Sequence, residues 1–301
     1  MAVIEELPPA PLNRSGWPWT KQSKTLPLTM SDGRPWPKIT IITPSYNQGQ
    51  FLEETIRSVL LQNYPNLEYI IIDGGSKDDS FHILDKYSQW LTYWVSEPDR
   101  GQSHALNKGF DLGTGEILAW INSDDLYVIN AFKKVAGIMN NFKHNLLIGE
   151  RLNIDRDGNV IDRQTISPRP VSYFQTICLG RNPFFQEAVF FRKSLWEKAG
   201  PFEERYSFVF DFDFFIKCLH FTKAITMPGT VLACWRHHDL QKCHPDRQNE
   251  IGEEFSTLLE EHYPQYIPAL LKRLFWSLGK RTVRGIDKRV NISTHVSSFE
   301  Q

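Results

Sequence analysis

KITIITPSYNQGQFLEETIRSVLLQNYPNLEYIIID, residues 38–73, reads as strand, helix, strand. Its two ends, KITIIT (38–43) and LEYIIID (67–73), are short apolar runs rich in β-branched residues. Between them Leu52, Ile56, Val59 and Leu60 recur at the spacing of one helix face. The alternation continues downstream. A Gly-Gly turn and a helix through Ile83 and Leu84 lead to LTYWV (91–95), a helix is predicted over about 102–112, and GEILAWI (115–121) is the fourth strand. Strands apolar on both faces belong to a sheet covered on both sides, which predicts an α/β fold with a mainly parallel central sheet.

Beyond residue 150 the pattern becomes mixed. Asp157-Gly158, between RLNI and VIDR, signals a β-hairpin. AVFF (188–191) and TVLACW (230–235) read as further strands. Residues 1–37, rich in Pro and polar residues, predict an extended arm, with Trp17, Trp19 and Trp36 packing it on the body of the chain. Residues 38–245 form the predicted main domain, and 246–301 a helical extension. There Leu258, Leu259, Ile267, Leu270, Leu271, Leu274, Phe275 and Leu278 alternate with Lys272, Arg273, Lys280, Arg281 and Arg284. A basic amphipathic helix of this kind either docks on its own domain or lies on an anionic membrane surface.

The 34 Lys+Arg against 35 Asp+Glu leave a formal net charge of -1, which argues against electrostatic capture of nucleic acid. The N-terminus lacks the basic start and apolar run of a signal peptide, and no stretch approaches the roughly 18 apolar residues of a spanning helix. Cys178, Cys218, Cys234 and Cys243 form no CxxC pair. Reduced thiols and a cytoplasmic setting are therefore expected, with contact at the inner face of the membrane the second reading. Cys234, His238, Cys243 and His244 lie close together, but their spacing fits no common zinc pattern.

In an open α/β sheet, ligands bind at the carboxyl ends of the strands. Three polar, turn-prone stretches fall there: PSYNQGQ (44–50), DGGSKDDS (73–80) and NSDD (122–125). The adjacent Asp124 and Asp125 follow an apolar strand. They suit either a hard divalent cation, Mn2+ or Mg2+, or the N-cap of a helix through Val128, Phe132 and Val135. Asp73 is either a turn carboxylate or an acceptor for a base or ribose. Asp99 and Arg100 precede Gly101, and Arg100 is either a diphosphate partner or half of a surface ion pair. VFDFDFFIKCL (209–219) sets Asp211 and Asp213 among aromatic side chains, where lost solvation raises proton affinity toward a general-base range. Spacing leaves open which of the two faces a cleft. Arg236, His237 and His238 close the last strand.

The order and spacing of these signals resemble glycosyltransferase family 2 over residues about 38–240. ITPSYN, SVLLQNYPNLEYIIIDGGSKDDS, EPDRGQSHALNKGF and GEILAWINSDD carry the likeness in the first half. QEAVFFRKSLWEKAGPFEE, DFDFFIKCL and WRHH carry it in the second. The resemblance implies a GT-A-like three-layer sandwich with C-terminal helices. It also implies transfer of a sugar from a nucleotide-diphosphate donor, typically a UDP-sugar, to a hydroxyl of a glycan or lipid-linked acceptor, with inversion. On the matching positions, Pro44, Ser45 and Tyr46 would line the nucleotide pocket and Asp73 would bind the base. Asp99 and Arg100 would lie near ribose and diphosphate, and Asn122, Ser123 and Asp124 would form the DxD-like motif. Asp124 and His238 would hold or approach Mn2+ or Mg2+, and Asp211 would be the catalytic base. Gln186 and Glu187 are the named candidates for acceptor contact.

One departure stands out: the first acid of the DxD-like motif is Asn122, which offers a carbonyl oxygen without charge. A non-catalytic nucleotide-sugar-binding module is the alternative that this departure supports. A sugar nucleotidyltransferase is disfavoured, because the loop after the first strand, PSYNQGQ, carries no Lys or Arg.

Overall fold

A computed structural model describes residues 3–140, 144–173, 176, 182–242 and 245–262. The basic segment from Ile267 onward, with Cys178, Cys243 and His244, lies outside them.

The first four strands, β1 (Ile39–Ser45), β2 (Leu67–Asp73), β3 (Tyr93–Ser96) and β4 (Ile117–Trp120), are all parallel. Alternate side chains divide between two cores, as strand geometry requires. Ile42, Ile70, Ile72, Leu118 and Trp120 face one side, and Ile39, Ile41, Ile71 and Ala119 the other. Helices α1 (Gly49–Leu60), α2 (Ser80–Tyr87) and α4 (Ala131–Met139) cover the second face. Helix α3 (Gln102–Leu112) covers the first, and the fit is close: a Cβ on Gly109 would stand 2.5 Å from Ile42 Cγ2. The stripe Leu52, Ile56, Val59 and Leu60 is buried on α1, as its spacing predicts.

The second half adds β5 (Leu126–Tyr127), β6 (Leu146–Ile154), β7 (Val160–Gln164), β8 (Val189–Arg192) and β9 (Ile225–Arg236). The nine strands form one sheet in the order β3-β2-β1-β4-β8-β6-β9-β5, with β7 paired to β6. The hairpin expected at Asp157-Gly158 is the β6–β7 turn, where Gly158 has φ 92. Helices α5 (Lys193–Ala199) and α6 (Phe210–Phe221) pack on the first face, together with Leu258 and Leu259 of α7 (Gln248–His262). The result is the three-layer α/β architecture that the sequence predicts.

The helix expected through Val128 starts later. Strand β5 intervenes, and α4 begins after Asn130, which sits at φ 62. Neither Asp124 nor Asp125 is a helix cap.

Residues 3–37 run along α1 and on to the two ends of α4, where Ser23 accepts the Asn130 N–H and Asp32 accepts from Asn140. Arg57, 1% exposed, donates to the carbonyl oxygens of Pro8, Pro18 and Trp19 and to the Tyr87 hydroxyl, and its guanidinium stacks on the Trp19 ring. A buried guanidinium needs most of its donors met, and here backbone of the amino-terminal segment meets them. Trp17 Nε1 donates to Tyr127 O and Trp36 Nε1 to Pro27 O.

Candidate active site

A cleft of about 580 Å3 opens at the carboxyl ends of β1 and β4. Pro44, Ser45, Tyr46 and Gln48 line one side, and Asp99, Gly101 and Gln102 bring in the amino end of α3. Asn122, Ser123, Asp124 and Gln186 form its floor. Phe208, Phe210, Asp211, Trp235 and Lys242 close the opposite wall. Nine predicted site residues therefore share one cavity: Pro44, Ser45, Tyr46, Asp99, Asn122, Ser123, Asp124, Gln186 and Asp211.

The NSDD loop is held from several sides. Thr55 Oγ1 donates to the carbonyls of Ser123 and Asp125. Arg236 Nε donates to Asp124 O, and the Arg236 backbone N–H donates to Asp125 Oδ1. The Arg236 side chain is fully buried and ion-paired to Glu54 at 2.9 Å. His238 Nε2 lies 2.9 Å from Asp124 Oδ2. Because His238 Nδ1 accepts the Leu240 N–H, the ring proton belongs on Nε2, which donates to Asp124. In this tautomer His238 orients Asp124. Asp124 keeps its second oxygen without a hydrogen bond among the described residues, and its side chain is 16% exposed. It is one of three carboxylates lining the cleft, with Asp99 and Asp211. Asp125 is buried; burial, then the neighbouring Asp124 and Glu187 carboxylates, push its proton affinity up.

Across the cleft, the two acids of α6 separate. Burial raises the Asp211 pKa to about 6, against smaller opposing effects from the Phe212 N–H and from Lys242. Burial also acts to raise Asp213, but hydrogen bonds from His262 and Lys217 outweigh it and hold that carboxyl below its ordinary value. Asp213 lies 2.8 Å from both partners and ties α6 to α7. The ambiguity left by spacing is thus resolved in position: Asp211 faces the cleft and Asp213 does not.

Four predicted residues fall elsewhere. Asp73 is fully buried, and its oxygens accept Gly75 N–H, Ser76 N–H and the hydroxyls of Ser76 and Ser96. It builds the turn after β2 and is not among the residues lining the cleft. Arg100 forms a two-pronged pair with Glu204 and is 67% exposed, so the surface-pair reading replaces the diphosphate one. Glu187 is buried against Arg151 at 3.1 Å, which removes it as an acceptor contact. His238 sits behind Asp124, its side chain 1% exposed. Of its neighbours, Arg236 braces the loop and His237 packs on the Trp235 ring.

Sequence reading passed over Gln102, Trp235 and Lys242. Gln102 was visible as the first helical residue after Gly101, whose φ of 117 suits glycine alone. Nothing local marks Lys242. Among the described residues, no group of three or more His, Cys, Asp or Glu converges to hold a metal.

Residues 40–202 match the family model for glycosyl transferase family 2. The chain belongs to that family. This glycosyltransferase is 25% identical over 268 residues to a PGL/p-HBAD biosynthesis glycosyltransferase of Mycobacterium tuberculosis, covering 87% of this chain and 97% of the relative. It is 28% identical over 213 residues to an uncharacterized glycosyltransferase of Rickettsia typhi, covering 68% and 65%. Among solved structures, S. aureus TarS 1-349 in complex with UDP aligns with TM-score 0.62 at 16% identity, over 85% of this chain and 76% of that one. The chain spans 46% of a longer TarS structure. The mannosyltransferase PcManGT from Pyrobaculum calidifontis, in complex with GDP-Man and Mn2+, aligns with TM-score 0.56 at 17% identity, over 91% and 80%. At these identities the structural likeness speaks for the GT-A-like fold.

Proposed function

We propose that this glycosyltransferase moves a sugar from a nucleoside-diphosphate donor, a UDP-sugar first, onto an acceptor hydroxyl with inversion at the anomeric carbon. The observation that carries the reading is the meeting of Asp124 and Asp211 in one cleft from distant parts of the chain. Complexes of TarS with UDP and UDP-GlcNAc support a uridine donor, and the GDP-Man complex of PcManGT keeps a guanosine donor as the rival.

Asp211 accepts the proton of the attacking hydroxyl. A base with proton affinity near neutrality is suited to that task, and the surrounding Phe rings limit its solvation. With Asp211 as the base, a single displacement is the route we infer. Asp124, oriented by His238, would hold Mn2+ or Mg2+, which would supply charge neutralisation to the departing diphosphate. Such a cation commonly takes most of its shell from phosphate oxygens and water, so one protein carboxylate is compatible with it. Tyr46, 61% exposed at the mouth, and Trp235 offer aromatic faces for sugar or base.

The acceptor class we infer is a glycan or a lipid-linked glycan. Among the described residues no helix is long and apolar enough to cross a membrane. Access to a lipid-linked acceptor would rest on surface contact through the basic segment after residue 266, from a cytoplasmic position.

A panel of UDP- and GDP-sugars, assayed for hydrolysis and transfer with and without Mn2+, tests the proposal. Cation-dependent turnover of one donor class is the expected result. Donor binding without turnover under any condition would make the chain a binding module instead.

A further inference from the structure

Lys242 is the sole cationic side chain among the described residues lining the cleft, where Asp99, Asp124 and Asp211 supply three carboxylates. It stands over the rings of Phe208 and Phe210 and donates from Nζ to Gln102 Oε1 at 3.2 Å. That contact is the first link of a one-way ladder. Gln102 Nε2 donates to Asn122 Oδ1 at 2.7 Å, Asn122 Nδ2 to Gln186 Oε1 at 3.2 Å, and Gln186 Nε2 to Trp120 O at 3.0 Å. The two ends fix the direction of every amide between them. An ammonium only donates and a backbone carbonyl only accepts, so each intervening amide turns its oxygen toward Lys242 and its nitrogen toward β4.

The ladder also explains the departure at position 122. The residue there must accept from Gln102 and donate to Gln186 at once. Asparagine does both, whereas an ionised aspartate only accepts. An aspartate would also set a further carboxylate beside Asp125, which lies 3.3 Å from Asn122 Nδ2.

We propose that Lys242 is a diphosphate-binding residue of the cleft, and that Gln102, Asn122 and Gln186 are positioning residues that aim it. The proposal rests on the nucleoside-diphosphate donor reading above. A diphosphate entering among three carboxylates meets repulsion that a fixed ammonium offsets. The loop after β9 thereby contributes a charge that the loop after β1 lacks.

Calorimetric titration of the full chain with UDP and GDP in Mn2+, alongside ligand-observed NMR with uridine and guanosine, tests this. Lys242→Met should weaken the preferred nucleoside diphosphate about tenfold or more and leave the matching nucleoside unchanged. Lys242→Arg should keep most of the affinity. Gln102→Leu should weaken the diphosphate by a smaller factor, and the double variant should be no worse than Lys242→Met alone, as a positioning role requires. Unchanged diphosphate affinity in Lys242→Met, or equal loss of nucleoside and diphosphate, overturns the proposal. So does a variant that shifts only the pH midpoint of turnover, because Lys242 would then serve Asp211. A wild-type chain that binds neither UDP nor GDP sinks the donor reading itself, a result distinct from any failure confined to the variants.

Discussion

The NSDD loop and the first turn of α6 face one another across the cleft, yet they prepare their carboxylates in opposite ways. Asp124 is wired: His238 holds its side chain and Arg236 its carbonyl, Thr55 holds the carbonyls of Ser123 and Asp125 on either side, and Glu54 holds Arg236 in turn. Asp211 is left nearly bare. It accepts the neighbouring Phe212 N–H, and burial among aromatic side chains raises its pKa. Wiring fixes a charge in place, which suits a group that presents an oxygen to a cation. Bareness keeps a proton exchangeable near neutral pH, which suits a base. Asp213, two residues further along α6, shows that the helix is not the cause. Partners from α6 and α7 make it an ordinary structural anion.

The contrast breaks most visibly at Asp124. Asp124→Ala should abolish cation-dependent turnover to the detection limit, with the fold retained by circular dichroism. Asp211→Asn should cut kcat about 10²–10⁴-fold with donor affinity little changed. The same variant should raise Tm by a few degrees at pH 7. The folded pKa of Asp211 lies above its ordinary 3.8, so ionising it disfavours the folded state as pH rises through that interval. Turnover and Tm falling together would place the base elsewhere.

A pH profile sharpens the same point without mutation. Wild-type kcat/KM should fall about tenfold per unit below pH 6, because the base must be unprotonated. Asp213→Asn should do the reverse of Asp211→Asn, losing about 1–3 kcal/mol of stability and much less turnover. The folded pKa of Asp213 is depressed, so its contribution is complete above the ordinary value of 3.8 and lost as pH falls through the lower folded value. Urea melts at pH 7 and pH 3 check that sign. The smallest expected effect is at Asn122→Asp: about 1 kcal/mol of stability lost without added cation, the deficit narrowing in Mn2+.

The chain alternation was readable because strands covered on both faces must be apolar throughout, and because Leu52, Ile56, Val59 and Leu60 repeat at helical spacing. The NSDD loop was readable for a related reason, since a polar stretch after such a strand falls at the ligand-binding edge of the sheet. Asp73 and Arg100 stayed ambiguous because a carboxylate or guanidinium in a loop looks the same in sequence whether it serves a ligand or its neighbours. Asp73 accepts three hydrogen bonds from Gly75 and Ser76 beside it and one from Ser96 on β3, and Arg100 pairs with Glu204, more than a hundred positions away.

By itself, then, the sequence determined the layered α/β architecture, the edge at which the site forms, and the family. Those depend on local periodicity and on the order of elements, both written along the chain. Only the tertiary structure decided which acid of DFDF meets the cleft, that His238 braces Asp124 from behind, and that Lys242 completes an amide ladder through Gln102 and Asn122. Each of these depends on which distant groups satisfy a buried donor or acceptor, and that is settled by packing in three dimensions.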